Sequence, residues 1–162
     1  MSPIATGNTL MEHVLYILNG DGAHADLVSA VDNVPVELRG KRPHGGAHSP
    51  WELLEHMRIT QRDVLDSILH ADHVSPDFPA GYWPATQGPE NEAAWTRSAK
   101  EFQSDFKMIV ELVAKKSSDL LVPLPHAKEQ TILRKLLMLA DHTSYHVGQL
   151  VLVRKLLGVW VS

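Results

Sequence analysis

The chain has 162 residues, of which 44% are hydrophobic and 21% charged, and its formal net charge is −4 with ten histidines counted as neutral. This length and composition are typical of a single globular domain, residues 1–162, with an ample core. The acidic balance argues against a non-specific nucleic-acid binder, which normally has a basic excess. Because the chain has no cysteine, disulfides and thiolate metal ligands are excluded, and a transition-metal site must use His, Asp, Glu and water.

The sequence contains no recognisable targeting or membrane segment. Its first residues lack the basic region and apolar run of a secretory signal. No stretch approaches the roughly 18 consecutive apolar residues that a transmembrane helix needs. We therefore expect a cytoplasmic protein that does not contact a membrane.

The first predicted helix covers residues 9–34. Apolar residues recur at helical spacing on both sides of an Asn-Gly-Asp-Gly sequence at residues 19–22. The two glycines predict a break or a kink there. Pro35 ends the helix, and a glycine-rich loop follows over residues 39–46.

The second predicted helix has a well-marked start. Ser49, Pro50 and Glu52 have the spacing of an N-cap, a first helical position and the last residue of a capping box. We expect this helix to end near Leu69. A long loop with four prolines follows over residues 72–89, and loops of this length are usually functional or mobile.

Two more helices complete the prediction. Apolar spacing predicts a third helix over residues 91–118, and a connection without a sheet over residues 120–130. Thr131 is a suitable N-cap for a fourth helix that ends near Leu157. Four long amphipathic helices in one chain predict an all-α fold, a four-helix bundle.

Two histidines one helical turn apart, His142 and His146, lie on the predicted last helix. An i, i+4 spacing places both imidazoles on one helix face, which also carries Leu139 and Leu150 and so points into the bundle. Burying two imidazoles without a partner is costly, and a shared divalent metal would remove that cost. His56 also points inward and could supply a third ligand. Three ligands leave coordination positions open, as in catalytic metal sites.

A plainer interpretation stays open. A single inward-facing histidine is more often a hydrogen-bonded core residue than a metal ligand. Thr143 stands where zinc proteases of the His-Glu-x-x-His type have their general base, so that mechanism is not expected. Asp141 points about 100° away from His142, so it is a poor ligand and a candidate for a supporting hydrogen bond. Gln149 either orients a ligand, a bound water or a substrate, or is a polar residue at the end of the bundle.

Other polar residues have weaker signals. His24 either reaches the site or caps the break in the first helix, and we favour the cap. Glu52, Glu55 and Asp63 are near the site by helix spacing, but none is a clear general base. The remaining histidines are expected to be solvated or to cap helix ends: His13, His44, His48, His70, His73 and His126.

Two residues of the last helix and two of the long loop have packing interpretations. Tyr145 is expected to pack in the core with its hydroxyl satisfied. Gly148 costs about 1 kcal/mol inside a helix relative to alanine, which a close approach of another helix would explain. Tyr82 and Trp83 either wall a substrate pocket or cover the end of the core.

Together these segments resemble the DinB-like superfamily. The similarity lies in His56 after Trp-Glu-Leu-Leu-Glu, in an Asp-His-x-x-x-His-x-Gly-Gln element, and in residues 22–27, 48–58 and 81–84. It covers nearly the whole chain. It implies a four-helix bundle, often dimeric, with a divalent metal, zinc or nickel above all, held by His56, His142 and His146. The superfamily includes thiol-dependent S-transferases, a mycothiol-dependent isomerase and members without an assigned activity.

The leading functional hypothesis is a metal-dependent enzyme that acts on a small molecule. The metal would activate a water for hydrolysis, or direct the sulfur of an external low-molecular-weight thiol at an electrophile. Asp141 and Gln149 are the candidates for orienting groups at the site. The alternative is a non-catalytic metal-binding or stress-response bundle, in which metal binding stabilises the fold. We also expect a homodimer through exposed apolar helix faces and residues 159–161, and no nucleic-acid partner.

Overall fold

The computed structural model describes residues 9–20, 23–46, 48–116 and 119–160. Its long helices are α1 (Thr9–Asn19), α3 (Pro50–Leu69), α4 (Glu92–Lys115) and α5 (Ile132–Leu156), and a short helix, α2 (Leu27–Val31), follows α1. Helix α3 packs against both α4 and α5, while α1 packs against α5 and α4. The predicted all-α four-helix bundle is confirmed.

The chain breaks, rather than kinks, after α1. Gly20 has a φ of 73°, in the left-handed region that favours glycine. Helix α2 starts at a new N-cap, because the Asp26 carboxylate accepts a hydrogen bond from the Ser29 amide at 2.7 Å. It ends at Val31, before the predicted end at residue 34, and a 3₁₀ turn follows at Val36–Leu38.

The capping box at the start of α3 is confirmed. The Ser49 hydroxyl accepts from the Glu52 amide at 3.2 Å, and the Glu52 carboxylate accepts from the Ser49 amide at 2.8 Å. The same hydroxyl donates to the Gln87 carbonyl at 2.6 Å, which attaches the long loop to this helix. Helix α3 ends at Leu69, where the sequence predicted its end.

The connection between α4 and α5 differs from the prediction. Helix α4 ends at Lys115, whereas we expected residue 118; residues 117–118 lie outside the described chain. An antiparallel hairpin of β1 (Pro123–Leu124) and β2 (Ala127–Thr131) then replaces the expected sheet-free connection. The polar second strand has no hydrophobic alternation, so its pairing depends on backbone hydrogen bonds, which the side-chain pattern does not reveal.

The core consists of two groups of buried side chains. One group includes Leu54 of α3 and Leu150 of α5, and the other includes Leu65 of α3 and Leu139 of α5. On α5 the residues between Leu139 and Leu150 include the predicted metal ligands, so the polar site interrupts the apolar core where the two groups meet. No helix in the described ranges is long and apolar enough to cross a membrane.

Candidate metal centre

Three imidazoles meet between α3 and α5. His56 comes from α3, and His142 and His146 come from successive turns of α5. The Nε2 atom of His56 lies 3.1 Å from that of His146 and 2.9 Å from that of His142. One ring nitrogen from each residue lies within 4.8 Å of those of the other two. The predicted trio therefore forms a compact group that could hold a metal ion, between helices that the apolar core fixes in place.

Two of the three rings are oriented by hydrogen bonds on their far side. The Nδ1 atom of His56 lies 2.8 Å from the Tyr82 carbonyl oxygen, and Nδ1 of His146 lies 2.7 Å from the Gln149 side-chain oxygen. A carbonyl oxygen only accepts hydrogen bonds, so both Nδ1 atoms must carry the proton. In the neutral rings, the lone pairs are then on the Nε2 atoms, which face the other imidazoles.

With these tautomers, the contact between the Nε2 atoms of His56 and His146 has no hydrogen between the two nitrogens. His142 can donate from Nε2 to the Nε2 lone pair of His56, but the 3.1 Å contact between His56 and His146 joins two lone pairs. A shared cation would remove that repulsion. The Nδ1 atom of His142 is buried without a hydrogen-bond partner in the described chain, and it is free to carry the proton when Nε2 binds a cation.

Burial disfavours protonation of the three imidazoles, so a proton is a poor candidate for the shared cation. Desolvation, and then repulsion from His146 and His56, lower the pKa of His142 to about 4. Desolvation also lowers the pKa of His56 and of His146, although the hydrogen bonds to Tyr82 and Gln149 oppose it. The three rings are therefore neutral near pH 7, which is the form that binds metals.

The long loop covers the site with an aromatic ring. Trp83 is stacked on His56 with ring centroids 3.9 Å apart and an interplanar angle of 2°. It is also stacked on His48, at 4.1 Å and 14°. We predicted that His48 is solvated or caps a helix end, and this prediction is wrong. The signals in the sequence were its place directly before the capping box of the helix that carries His56 and its inclusion in the segment 48–58 that carries the family resemblance.

The acidic residues near the site are engaged elsewhere. Glu52 is paired with Arg42, and Glu55 is paired with Arg58. Asp63 accepts hydrogen bonds from His73 and Tyr82. In the described ranges, no carboxylate joins the group of three histidines.

The four remaining predictions on α5 have different outcomes. Gln149 contacts His146, whereas Asp141 is exposed and makes no hydrogen bond within the described chain. Tyr145 is 64% exposed, so the prediction that it packs in the core is wrong; its ring edge lies against His146, with centroids 4.9 Å apart. The close approach predicted at Gly148 is also wrong, since a Cβ atom there would meet nothing within 4 Å in the described chain.

His24 lies in a different environment from the three histidines. Its ring nitrogens contact the Ala25 carbonyl at 2.8 Å and the Ser144 hydroxyl at 3.2 Å. It lines a mainly apolar cavity of about 240 Å³ between the end of α1, α4 and α5, and none of the three histidines lines that cavity. The contact with Ser144 joins the break after α1 to α5. The N-cap of α2 is Asp26, and the described contacts of His24 do not include the helix cap that we favoured.

One of the comparisons with known proteins gave a match. The profile of the DinB superfamily matches residues 20–150, which include His56, His142, His146 and the long loop. Neither the curated proteins nor the solved structures gave a match. Because the profile covers most of the chain, and the chain is a helical bundle with three converging histidines, this protein belongs to the DinB superfamily.

Proposed function

We propose that this protein binds one divalent metal ion through the Nε2 atoms of His56, His142 and His146. The observation that carries the proposal is the 3.1 Å contact between two Nε2 lone pairs of His56 and His146. Two neutral imidazoles do not take this arrangement favourably unless a cation lies between them, and the lowered pKa of each ring argues against a proton.

Two of the three nitrogen–nitrogen distances are near those of a first-row divalent metal site, and all three nitrogens lie within 4.8 Å of one another. Two nitrogens bound to one tetrahedral zinc ion at 2.0–2.1 Å are about 3.3 Å apart, close to the 2.9 and 3.1 Å of the two Nε2 contacts. Imidazole suits zinc and nickel, and also copper and iron. We propose zinc or nickel, as the resemblance implied.

We further propose that the site is catalytic, in an S-transferase or a hydrolase. A divalent ion held by these three imidazoles would keep open coordination positions and would supply activation of a thiol or a water near neutral pH. The chain's own contribution is to hold the rings: Tyr82 and Gln149 fix His56 and His146, and Trp83 shields one face of His56 from water.

Between these two reactions, the site favours thiol transfer. Hydrolysis usually relies on a general base beside the water, and the acidic residues near the site are held in other pairs. A thiol is acidic enough to bind a metal as thiolate without such a base. The chain lacks cysteine, so the thiol must be an external low-molecular-weight one, which implies a reducing compartment such as the cytoplasm.

The pairing of the nearby carboxylates with other residues also supports the alternative, a non-catalytic metal-binding bundle. A screen of low-molecular-weight thiols with alkylating or epoxide electrophiles separates the two functions. The enzyme hypothesis predicts product formation that is lost on chelation and restored by zinc or nickel. A metal-loaded protein that turns over no thiol or ester substrate would support the binding role instead.

The metal itself is tested first by elemental analysis. Untagged protein purified without added metal is compared with the His56→Ala/His142→Ala variant. We expect about one equivalent of a divalent metal in the wild type and little in the variant. Wild-type protein without metal, even after incubation with zinc and nickel, would remove the basis of both proposals.

We also propose that the protein is a homodimer that uses the outer face of α5. This face carries a row of exposed apolar side chains at helical spacing: Met138, Tyr145, Leu152 and Leu156. Gly148 adjoins the row and has free space beside it, which would allow a second copy's helix to approach. Trp160, by contrast, is covered by the Arg154 guanidinium of its own chain, and Val161 lies outside the described residues.

The dimer is tested by light scattering coupled to size-exclusion chromatography at micromolar concentration. We expect a dimer for the wild type and a monomer for Leu152→Glu. The matched control is Leu121→Glu, which changes an exposed leucine outside α5. A monomeric wild type, or equal effects of the two substitutions, would contradict the proposed interface.

A further inference from the structure

The loop between α3 and α4 is also attached to α3 through Asp63, which lies outside the group formed by His56, His142 and His146. The hydroxyl of Tyr82 donates to the Asp63 carboxylate at 2.9 Å, and a ring nitrogen of His73 lies 2.7 Å from the other carboxylate oxygen. Asp63 lies seven residues after His56, which is about two helical turns along the same face. Both residues therefore face the same loop.

Asp63 is a charged anchor rather than a surface carboxylate. Its side chain is 13% exposed. Burial would raise its pKa, but hydrogen bonds from His73, Ser75 and Tyr82 outweigh that effect and hold the pKa below its usual value. Hydrogen bonds to an ionised acceptor are stronger than neutral ones, so the carboxylate holds three loop side chains together.

Tyr82 is consequently held at both ends. Its hydroxyl donates a hydrogen bond to Asp63, and its backbone carbonyl accepts a hydrogen bond from His56 Nδ1 at 2.8 Å. The next residue, Trp83, is the ring stacked on His56. A shift of the loop at Tyr82 would therefore move both groups that orient the His56 imidazole.

We propose that Asp63 is a positioning residue for the three-histidine group. Through Tyr82 it places the carbonyl that keeps the proton on Nδ1 of His56, and hence keeps the Nε2 lone pair directed at His142 and His146. The metal-binding part of this inference rests on the proposed function; the part concerning the His56 ring does not.

The rest of the loop has its own attachments, so a change at Asp63 should leave it in place. At its far end the Gln87 carbonyl accepts from the Ser49 hydroxyl at 2.6 Å, and the Gln87 side chain donates to the Gly40 carbonyl at 2.8 Å. Loss of the Asp63 contacts should therefore change the orientation of His56 without detaching the loop.

The test compares Asp63→Asn and Tyr82→Phe with the matched control Asp66→Asn. Asp66 lies on the same helix, its side chain is 18% exposed, and it pairs with Arg62 rather than with the loop. The first measurement is the imidazole nitrogen spectrum of metal-free protein labelled with ¹⁵N-histidine. We expect the wild type and Asp66→Asn to keep His56 protonated at Nδ1, and the other two variants to show a mixture of tautomers.

The second measurement is a titration with Co²⁺, which reports affinity and coordination through its visible absorption. Loss of groups that orient a metal-ligating histidine typically weakens metal binding 10–100-fold. Because Asp63 acts through Tyr82, we expect about a tenfold loss in both variants and an altered Co²⁺ spectrum, with neither change in Asp66→Asn.

The outcomes separate this inference from the proposed function. An unchanged His56 tautomer in Tyr82→Phe and Asp63→Asn, or equal changes in Asp66→Asn, would overturn the role of Asp63. A wild type that binds no Co²⁺ would contradict the proposed metal site, while the tautomer spectra would still decide the role of Asp63. If Asp63→Asn fails to fold by circular dichroism, Tyr82→Phe decides alone.

Discussion

At the scale of single residues, the two ring nitrogens of His56 and of His146 have different roles in the site. In His56 and His146, Nδ1 is occupied by a hydrogen bond to an oxygen, which reserves Nε2 for the centre of the group. The acceptors differ in kind, since one is a backbone carbonyl of the long loop and the other is the side chain of Gln149. Only the Gln149 acceptor can be removed by substitution without moving the backbone.

Gln149→Leu should therefore weaken metal binding. The change removes the acceptor that holds His146 Nδ1 at 2.7 Å, and loss of such a partner typically costs 10–100-fold in metal affinity. The measurement is a competition titration with a chromogenic chelator. Asp141→Asn is the control, because Asp141 is exposed on the same helix; comparable losses in the two variants would show that Gln149 has no special role.

The lowered pKa of His142 predicts that the metal-free protein loses stability in acid. The folded protein protonates His142 only near pH 4, whereas the unfolded chain does so near the usual value of 6.5. Between these values the unfolded state binds more protons, so the free energy of unfolding should fall as the pH falls from about 6.5 to about 4.

Urea denaturation followed by circular dichroism, with a chelator present, measures this dependence. The His142→Gln variant should show a smaller loss of stability over the same pH range, because its side chain does not titrate. An equal loss in both proteins would assign the acid sensitivity to other groups.

At the scale of elements, the start of α3 organises both a helix and the loop that covers the site. Ser49 is fully buried and uses one hydroxyl to accept from Glu52 and to donate to Gln87. The Glu52 carboxylate accepts a hydrogen bond from the Ser49 amide and another from the Arg42 guanidinium. The position of the helix carrying His56 is thus tied to the far end of the long loop.

Ser49→Ala should lower the free energy of unfolding by more than the loss of a helix cap alone, because the hydroxyl also donates to the Gln87 carbonyl. Loss of a cap costs about 1 kcal/mol, and the Gln87 carbonyl also loses its donor, which adds about 1 kcal/mol. Thr131→Ala is the matched control, because Thr131 caps α5 through the Arg134 amide at 3.1 Å. Chemical denaturation measures the free energy of unfolding of both variants. A loss for Ser49→Ala that is no larger than the loss for Thr131→Ala would contradict the second role of Ser49.

At the scale of the whole molecule, the bundle is stabilised by apolar burial on both sides of the site. Leu53, Leu54 and Met57 surround His56 in the sequence of α3 and are fully buried, as are Leu136 and Leu150 on either side of the α5 histidines. Burial of each such side chain contributes about 1.5–3 kcal/mol. The fold therefore does not depend on the site for its core.

Metal removal should accordingly lower the melting temperature without abolishing the helices. A ligand that binds only the folded state stabilises it by about 2.7 kcal/mol at 100 times its dissociation constant. Circular dichroism melts of chelated and zinc-loaded protein measure the difference. Loss of helical signal on chelation at room temperature would show that the metal is required for folding, and equal melting temperatures would contradict metal binding.

The sequence by itself determined the long helices and the candidate ligands. Apolar periodicity and the caps at Ser49 and Thr131 act locally, so they mark α3 and α5 without knowledge of the rest of the chain. The i, i+4 spacing of His142 and His146 likewise guarantees a shared helix face. Polar side chains on an otherwise apolar face then mark a site.

The tertiary structure decided what surrounds those ligands. The Tyr82 carbonyl and the Trp83 and His48 rings reach His56 only because a proline-rich loop folds back over α3, and no periodicity encodes the path of a loop. The exposure of Tyr145 and the hairpin at Pro123–Thr131 were missed for the same reason: burial and backbone pairing depend on residues distant in the sequence. Spacing along the chain predicts which groups share a face, whereas the partners of each group depend on the packing of the whole bundle.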